Sequence, residues 1–271
     1  MAARKTPKKA AKKAAKKPNP AARRKPAAGA ALEPKPQPAS KRGKPDPALV
    51  KVTYAKLRER HSDAHCELDH QSPFQLILAT VLSAQSTDVM VNKITPALFE
   101  RWPSPKALAN ADPAEVERAL SKIGMFRQKT KNVIGLSKRL LEEHGGEVPR
   151  TLAELVKLPG VGRKTANVVL GVAFGTPEGV VVDTHVQRIS QRLGWTKHDE
   201  PIAIEQDLMA LFPRNEWDML SHTLIFHGRR ICAARKPACS ACPVTAECPS
   251  AFAAEHVGRK PAGLRVRATK P

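Results

Sequence analysis

Long apolar runs are missing from this sequence. No stretch approaches the roughly eighteen uninterrupted apolar residues that a membrane span requires, so a membrane partner is not expected. No apolar run stands near the N-terminus, so a secretory signal is not expected either. Acidic residues are scarce beside basic ones: 25 Asp and Glu against 46 Lys and Arg in 271 residues, a formal net charge of +21. Such an imbalance favours a polyanionic partner, most often nucleic acid. Cysteine is also sparse and odd in number, five in all, with four of them inside residues 232–248. That argues against a disulfide scaffold and for a reducing compartment with a metal site. Alternating apolar and polar residues never persist long enough to read as a strand, and a sheet of consequence is not expected.

The charge is unevenly spread. Residues 1–47 hold 15 basic and 2 acidic residues together with nine prolines, leaving 31 basic and 23 acidic residues for the rest of the chain. Residues 1–47 cannot bury a core and read as a disordered basic tail. Runs such as Lys8-Lys9-Ala10-Ala11-Lys12-Lys13 suit loose contact with phosphates, a solubilising role being the other reading. The folded part stays basic without the tail.

From Asp46 onward the pattern is helical, with roughly ten helices. Asp46-Pro47, Ser72-Pro73, Ser104-Pro105 and Asp112-Pro113 each set a capping side chain before a proline at the first helical position. Thr151-Leu152-Ala153-Glu154 is a capping-box sequence. Gly124, Gly145 and Gly194 are placed to stop helices. Residues 73–84 read as a helix buried on most sides. Residues 163–174 set Ala166, Val169, Leu170 and Ala173 on one helical face.

Two constellations carry chemistry. The first is Leu158-Pro159-Gly160-Val161-Gly162-Arg163-Lys164, a helix, a tight glycine hairpin and a second helix. Such a hairpin turns backbone N–H groups outward at a helix N-terminus, where a phosphate can bind. Lys164 falls in the first turn of that helix, and 19 residues later Val182-Asp183-Thr184-His185 offers a carboxylate. An amine and a carboxylate beside a bound DNA backbone point to covalent chemistry on a nucleotide. Taken singly, Lys164 reads as a phosphate contact and Asp183 as the N-cap of helix 184–193.

The second constellation is Cys232, Cys239, Cys242 and Cys248, spaced C-x6-C-x2-C-x5-C. Structural zinc sites favour two close pairs, and here only Cys239 and Cys242 are close. Four thiolates with no nearby histidine suit a [4Fe–4S] cluster in a structural role, with zinc as the alternative. Arg235 and Lys236, inside the loop, are candidates to grip DNA phosphates. Cys66 reads as a small core residue.

The hairpin, its lysine, Val-Asp-Thr-His and the cysteine spacing occur together and in order. Over residues 48–250 the combination resembles the endonuclease III family of helix-hairpin-helix DNA repair glycosylases. The resemblance implies an all-α fold of two helical domains with a DNA-binding cleft between them. One is a helical barrel, residues 66–180, containing the helix-hairpin-helix 151–174. The other joins residues 48–65 to 181–250 and carries the cluster. Residues 1–47 and 251–271 fall outside as basic tails.

The resemblance further implies a bifunctional glycosylase and abasic-site lyase acting on oxidised pyrimidines in duplex DNA. Lys164 is the nucleophile and Asp183 its carboxylate partner. Burial and the helix N-terminus are expected to favour the neutral amine. The target nucleotide must be flipped out, and the gap is filled by Gln85 of Ser83-Ala84-Gln85 and Met125 of Ile123-Gly124-Met125. Met125 alone would read as core. Gly160, Gly162, Arg163 and His185 join the DNA contacts, although His185 also reads as a packed histidine. Asp88 falls near the pocket, with helix-end capping as its other role. The implied setting is a monomer in a bacterial cytoplasm, associated with the nucleoid. A different damaged base, a redox sensor and a non-catalytic DNA-binding protein are the competing functions.

Overall fold

Side-chain caps open most of the helices. In the computed structural model, which describes residues 45–257, Asp46 caps α1 (Pro47–Arg60), Ser72 caps α2 (Pro73–Ser83) and Thr87 caps α3 (Asp88–Arg101). Ser104 caps α4 (Pro105–Ala109), Asp112 caps α5 (Pro113–Leu120) and Thr151 caps α7 (Leu152–Leu155). Each accepts a hydrogen bond from a first-turn N–H that would otherwise lack a partner. The four cap-proline pairs expected from sequence all act in this way. Gly145 closes α6 (Phe126–His144) and Gly194 closes α9 (Thr184–Leu193), both in the left-handed conformation.

Gly124 does not stop a helix. The helix before it, α5, already ends at Leu120, with Ser121 as its C-cap. The remaining helices are α8 (Arg163–Phe174), α10 (Pro201–Leu211) and α11 (Trp217–Arg230). The described residues therefore form an all-α fold without strands. No helix among them is long and apolar enough to cross a membrane. The short apolar run 179–182 is not a strand: Val180 and Val181 are buried, and the Val181 N–H donates to the Ser221 hydroxyl over 3.0 Å.

Two buried apolar clusters organise these helices, and all the described residues belong to one compact unit. The first cluster draws on Leu68 through Leu170 and is centred on α2, in which Leu76, Ile77, Ala79 and Leu82 are fully buried. The second combines α1 with residues 180–244, including Val186, Ile204, Leu220 and Leu224. The α8 face expected to be apolar is so: Ala166, Val169 and Leu170 are buried and Ala173 packs against them.

A buried carboxylate ties α8 to α10. Glu205 accepts from Arg163 Nε at 2.7 Å and Nη2 at 3.1 Å, and from Asn167 Nδ2 at 3.0 Å. Residue 179 must be glycine to leave room, because a Cβ there would fall 1.7 Å from Glu205 Oε1.

The expected tail 1–47 lies outside the described residues except for its last three. Of the expected tail 251–271, residues 251–257 are part of the fold. Ala251 and Ala254 are buried, and the Val257 carbonyl accepts from Arg192 Nε at 3.0 Å.

Candidate active site

The hairpin between α7 and α8 is fixed by sterics. Gly160 has φ +77°, and a Cβ there would come within 2.7 Å of the Asn132 amide on α6. Any side chain is thus opposed twice, by backbone conformation and by contact. Val161 is buried and anchors the loop. Gly162 is the N-cap of α8, and no side chain caps that helix. A Cβ on Gly162 would meet nothing within 4 Å, so the space before the N-terminus of α8 is open.

Lys164 projects from this first turn and is exposed. The burial expected for its amine is therefore not found. It lines an open pocket of about 630 Å³ together with Asp88, Asp183, Val181 and Arg229. The amine and the carboxylate, 19 residues apart in sequence, meet because α8 and α9 both begin at this pocket.

Asp183 is the N-cap of α9. Its Oδ1 accepts from the His185 and Val186 N–H groups, each at 2.8 Å. Its capping role is thus real, and capping holds the carboxylate at the pocket. Asp88 is not a cap, that position being taken by Thr87. It opens α3 and lines the same pocket. Burial pushes the Asp88 carboxyl up, with Lys164 opposing the shift and the Asp183 charge adding to it. Arg229 favours the ionised form, since its Nη2 donates to Asp88 Oδ2 over 2.8 Å while Nη1 pairs with Glu67. Cys66, expected as a small core residue, is half-buried, packing against the first apolar cluster while also lining the pocket wall.

His185 is held by Arg188, whose Nη2 lies 3.1 Å from His185 Nδ1 and 2.9 Å from the Gly228 carbonyl. A guanidinium only donates, so Nδ1 accepts and the imidazole is neutral. Burial holds its pKa below the usual histidine range. Arg163, expected at a phosphate, is committed in the chain alone to Glu205.

Gln85 and Met125 stand on adjacent loops. Both are exposed and both have left-handed backbones, at φ 53° and 56°. For such residues that conformation costs about 1–3 kcal/mol each, and it clusters at functional sites. Met125, which read alone would be core, is 50 % exposed.

The four clustered cysteines line one cavity. No group of three or more His, Cys, Asp or Glu among the described residues converges as it would on a single ion. The sequence suggested no nearby histidine. In space, His227 Nε2 lies 3.7 Å from Cys242 Sγ, while its Nδ1 is 3.1 Å from His61 Nε2. Burial, reinforced by nearby positive charge, lowers the His227 pKa to about 3, which keeps the ring neutral. Arg192, 1 % exposed, donates to Cys232 Sγ at 3.2 Å and to the Ala233 and Ala234 carbonyls. It fixes the loop from which Arg235 and Lys236 project, both exposed. Arg192, Glu205 and Arg229 were not singled out by the sequence, because their partners lie between 38 and 162 residues away.

Residues 78–214 match the family described as HhH-GPD superfamily base excision DNA repair protein. The chain is 54 % identical over 197 residues to endonuclease III of Synechocystis sp., covering 73 % of this chain and 90 % of that one. Its fold is similar to that in a non-covalent endonuclease III–DNA complex, with TM-score 0.72 and 43 % identity over 75 % of this chain and 95 % of that one. It is equally similar to a trapped endonuclease III–DNA covalent intermediate, with TM-score 0.72 and 43 % identity over 75 % and 96 % of the two chains. The fold is that of an HhH-GPD base excision repair protein. Within that class, the chain belongs to the endonuclease III family.

Asp183→Asn should retain the α9 cap and leave thermal stability near wild type. Asp183→Ala should cost about 1–2 kcal/mol. Melting temperatures of the two variants check this, and equal losses would contradict the capping role.

Proposed function

We propose that this chain flips damaged bases, principally oxidised pyrimidines, out of duplex DNA, excises them and cleaves the resulting abasic site. Glycosylase and abasic-lyase chemistry in base excision repair is the family's work; the base and the residue roles are our reading. The observation that carries it is the meeting of Lys164 and Asp183 at one pocket, each from the start of its own helix.

The neutral Lys164 amine attacks the sugar C1′, and the C1′–N bond breaks with its electron pair leaving on the base. Asp183 stabilises the cationic sugar as the base departs and accepts protons from the amine. The nitrogen lone pair of the deprotonated adduct then breaks the C1′–O4′ bond, O4′ takes up a proton, and the sugar opens to a protonated Schiff base whose C2′ proton is acidic; loss of that proton expels the 3′ phosphate by β-elimination. Lys164 is exposed in the chain alone, and desolvation of the amine falls to the bound DNA.

DNA binds across the α8 N-terminus, with a phosphate against the Gly160 and Gly162 amides. Open space at Gly162 and the uncapped helix favour this. Gln85 and Met125 fill the gap left by the flipped nucleotide. Arg235 and Lys236 contact flanking phosphates. In this reading Arg163 and His185 act near the backbone through the elements they fix. The helical barrel 66–180 and the cluster domain 48–65 plus 181–250 flank the cleft, a division supported by the two apolar clusters. The protein acts as a monomer in the bacterial cytoplasm, at the nucleoid.

Cys232, Cys239, Cys242 and Cys248 would hold a [4Fe–4S] cluster. The donor set fits: four thiols around one cavity, with the Arg192 guanidinium donating to one sulfur and the His227 ring in contact with another. When bound, the cluster ties the 232–248 loop together without entering the reaction.

Two measurements test this reading. Borohydride should trap wild type on a duplex bearing one thymine glycol, and Lys164→Ala should give no adduct. Trapping on an abasic site but not on thymine glycol would overturn the base preference alone. Metal analysis should return about four irons and four sulfides per chain, and a single zinc per chain would refute the cluster.

A further inference from the structure

Lys129 is buried without a counter-ion. It sits on α6, one turn after Met125, and is 2 % exposed. Its Nζ donates to the Ser86 hydroxyl over 2.9 Å, and among the described residues it makes no ion pair. Burial pushes the ammonium pKa down. An ammonium in this setting is costly, and an apolar side chain of similar volume would fill the space without that cost. Stability therefore does not explain a lysine here.

Its contacts suggest what does. Its backbone N–H makes the first-turn helical bond to the carbonyl of Met125, the α6 N-cap, over 3.0 Å, as any residue there would, while its side chain alone reaches Ser86, the residue after Gln85. Gly124, just before Met125, faces the Gln85 carbonyl, with 3.6 Å from an ideal Cβ to that oxygen. The Lys129 side chain thus ties the Gln85 loop to the helix that Met125 begins, and both Gln85 and Met125 hold left-handed backbones. A turn further along the same helix, Asn132 packs beneath Gly160 of the hairpin. The first two turns of α6 brace all three loops that the proposed DNA contacts occupy.

We infer that Lys129 is a positioning residue, its tether to Ser86 holding Gln85 and Met125 side by side as a preformed plug for the gap in the duplex. This rests on the plug role given above to Gln85 and Met125. A plug already in place loses little freedom when DNA binds, whereas a slack one must be ordered at each encounter.

The test compares one abasic site in duplex and in single-stranded DNA, using the full chain and Lys129→Met. Single strands have no gap to fill. The variant should melt at or above the wild-type temperature. It should cleave the duplex site about tenfold more slowly or worse, and the single-stranded site within about twofold of wild type. Ser86→Ala, which removes only the acceptor, should show the same split. Equal losses on both DNAs, or unchanged duplex cleavage in both variants, would overturn the tether. Wild type that forms no borohydride adduct on either DNA would instead sink the lyase reading on which the plug depends.

Discussion

The grip of Glu205 on Arg163 and Asn167 sets where the working end of α8 can stand. Glu205 belongs to the α10 helix of the second apolar cluster, whereas α8 packs in the first. Arg163 immediately precedes Lys164, so this ion pair fixes the first turn of the helix that bears the amine. A buried carboxylate with one charged and one amide partner resists displacement, because losing either leaves polar atoms stranded. Gly179 yields its side chain to make the space. The chain then turns through Val181, hydrogen-bonded to Ser221, and delivers Asp183 to the same pocket. The amine and the carboxylate are brought together by backbone elements that are separately locked, α8 by Glu205 and α9 by its own cap.

Much of this was legible in the sequence because it is local. Cap-proline pairs, the glycine hairpin and the bounds of α8 and α9 depend on neighbours a few residues apart, and the sequence displays them directly. Gly124 misled because a glycine between helices resembles a stop signal. Its actual place is beside the Gln85 carbonyl, a contact across 39 residues that no local pattern encodes. The buried polar residues were illegible for the same reason. Arg192 would be read as a surface charge on α9, yet it is 1 % exposed and holds the cysteine loop from within. Lys129 resembles any helical lysine until Ser86, 43 residues earlier, is found against its amine.

The cysteine loop illustrates a division of labour between protein and proposed cluster. Spacing alone pointed to a bulky group held by four thiols. Arg192 donates to one sulfur, the His227 ring touches another, and Arg192 also gathers the Ala233, Ala234 and Val257 carbonyls. The loop is therefore partly shaped by the protein before any metal is considered. The basic side chains at its tip, Arg235 and Lys236, inherit that rigidity, which suits contacts to a phosphate backbone better than a slack loop would.

In the proposed reaction Lys164 is the residue that bonds to the sugar. The most direct measurement is peptide mapping, by mass spectrometry, of the borohydride-reduced adduct formed on a duplex abasic site. The sugar remnant should lie on the peptide containing Lys164, with the mass retained on that side chain. A remnant on any other lysine, or on the chain's N-terminal amine, would contradict the central assignment.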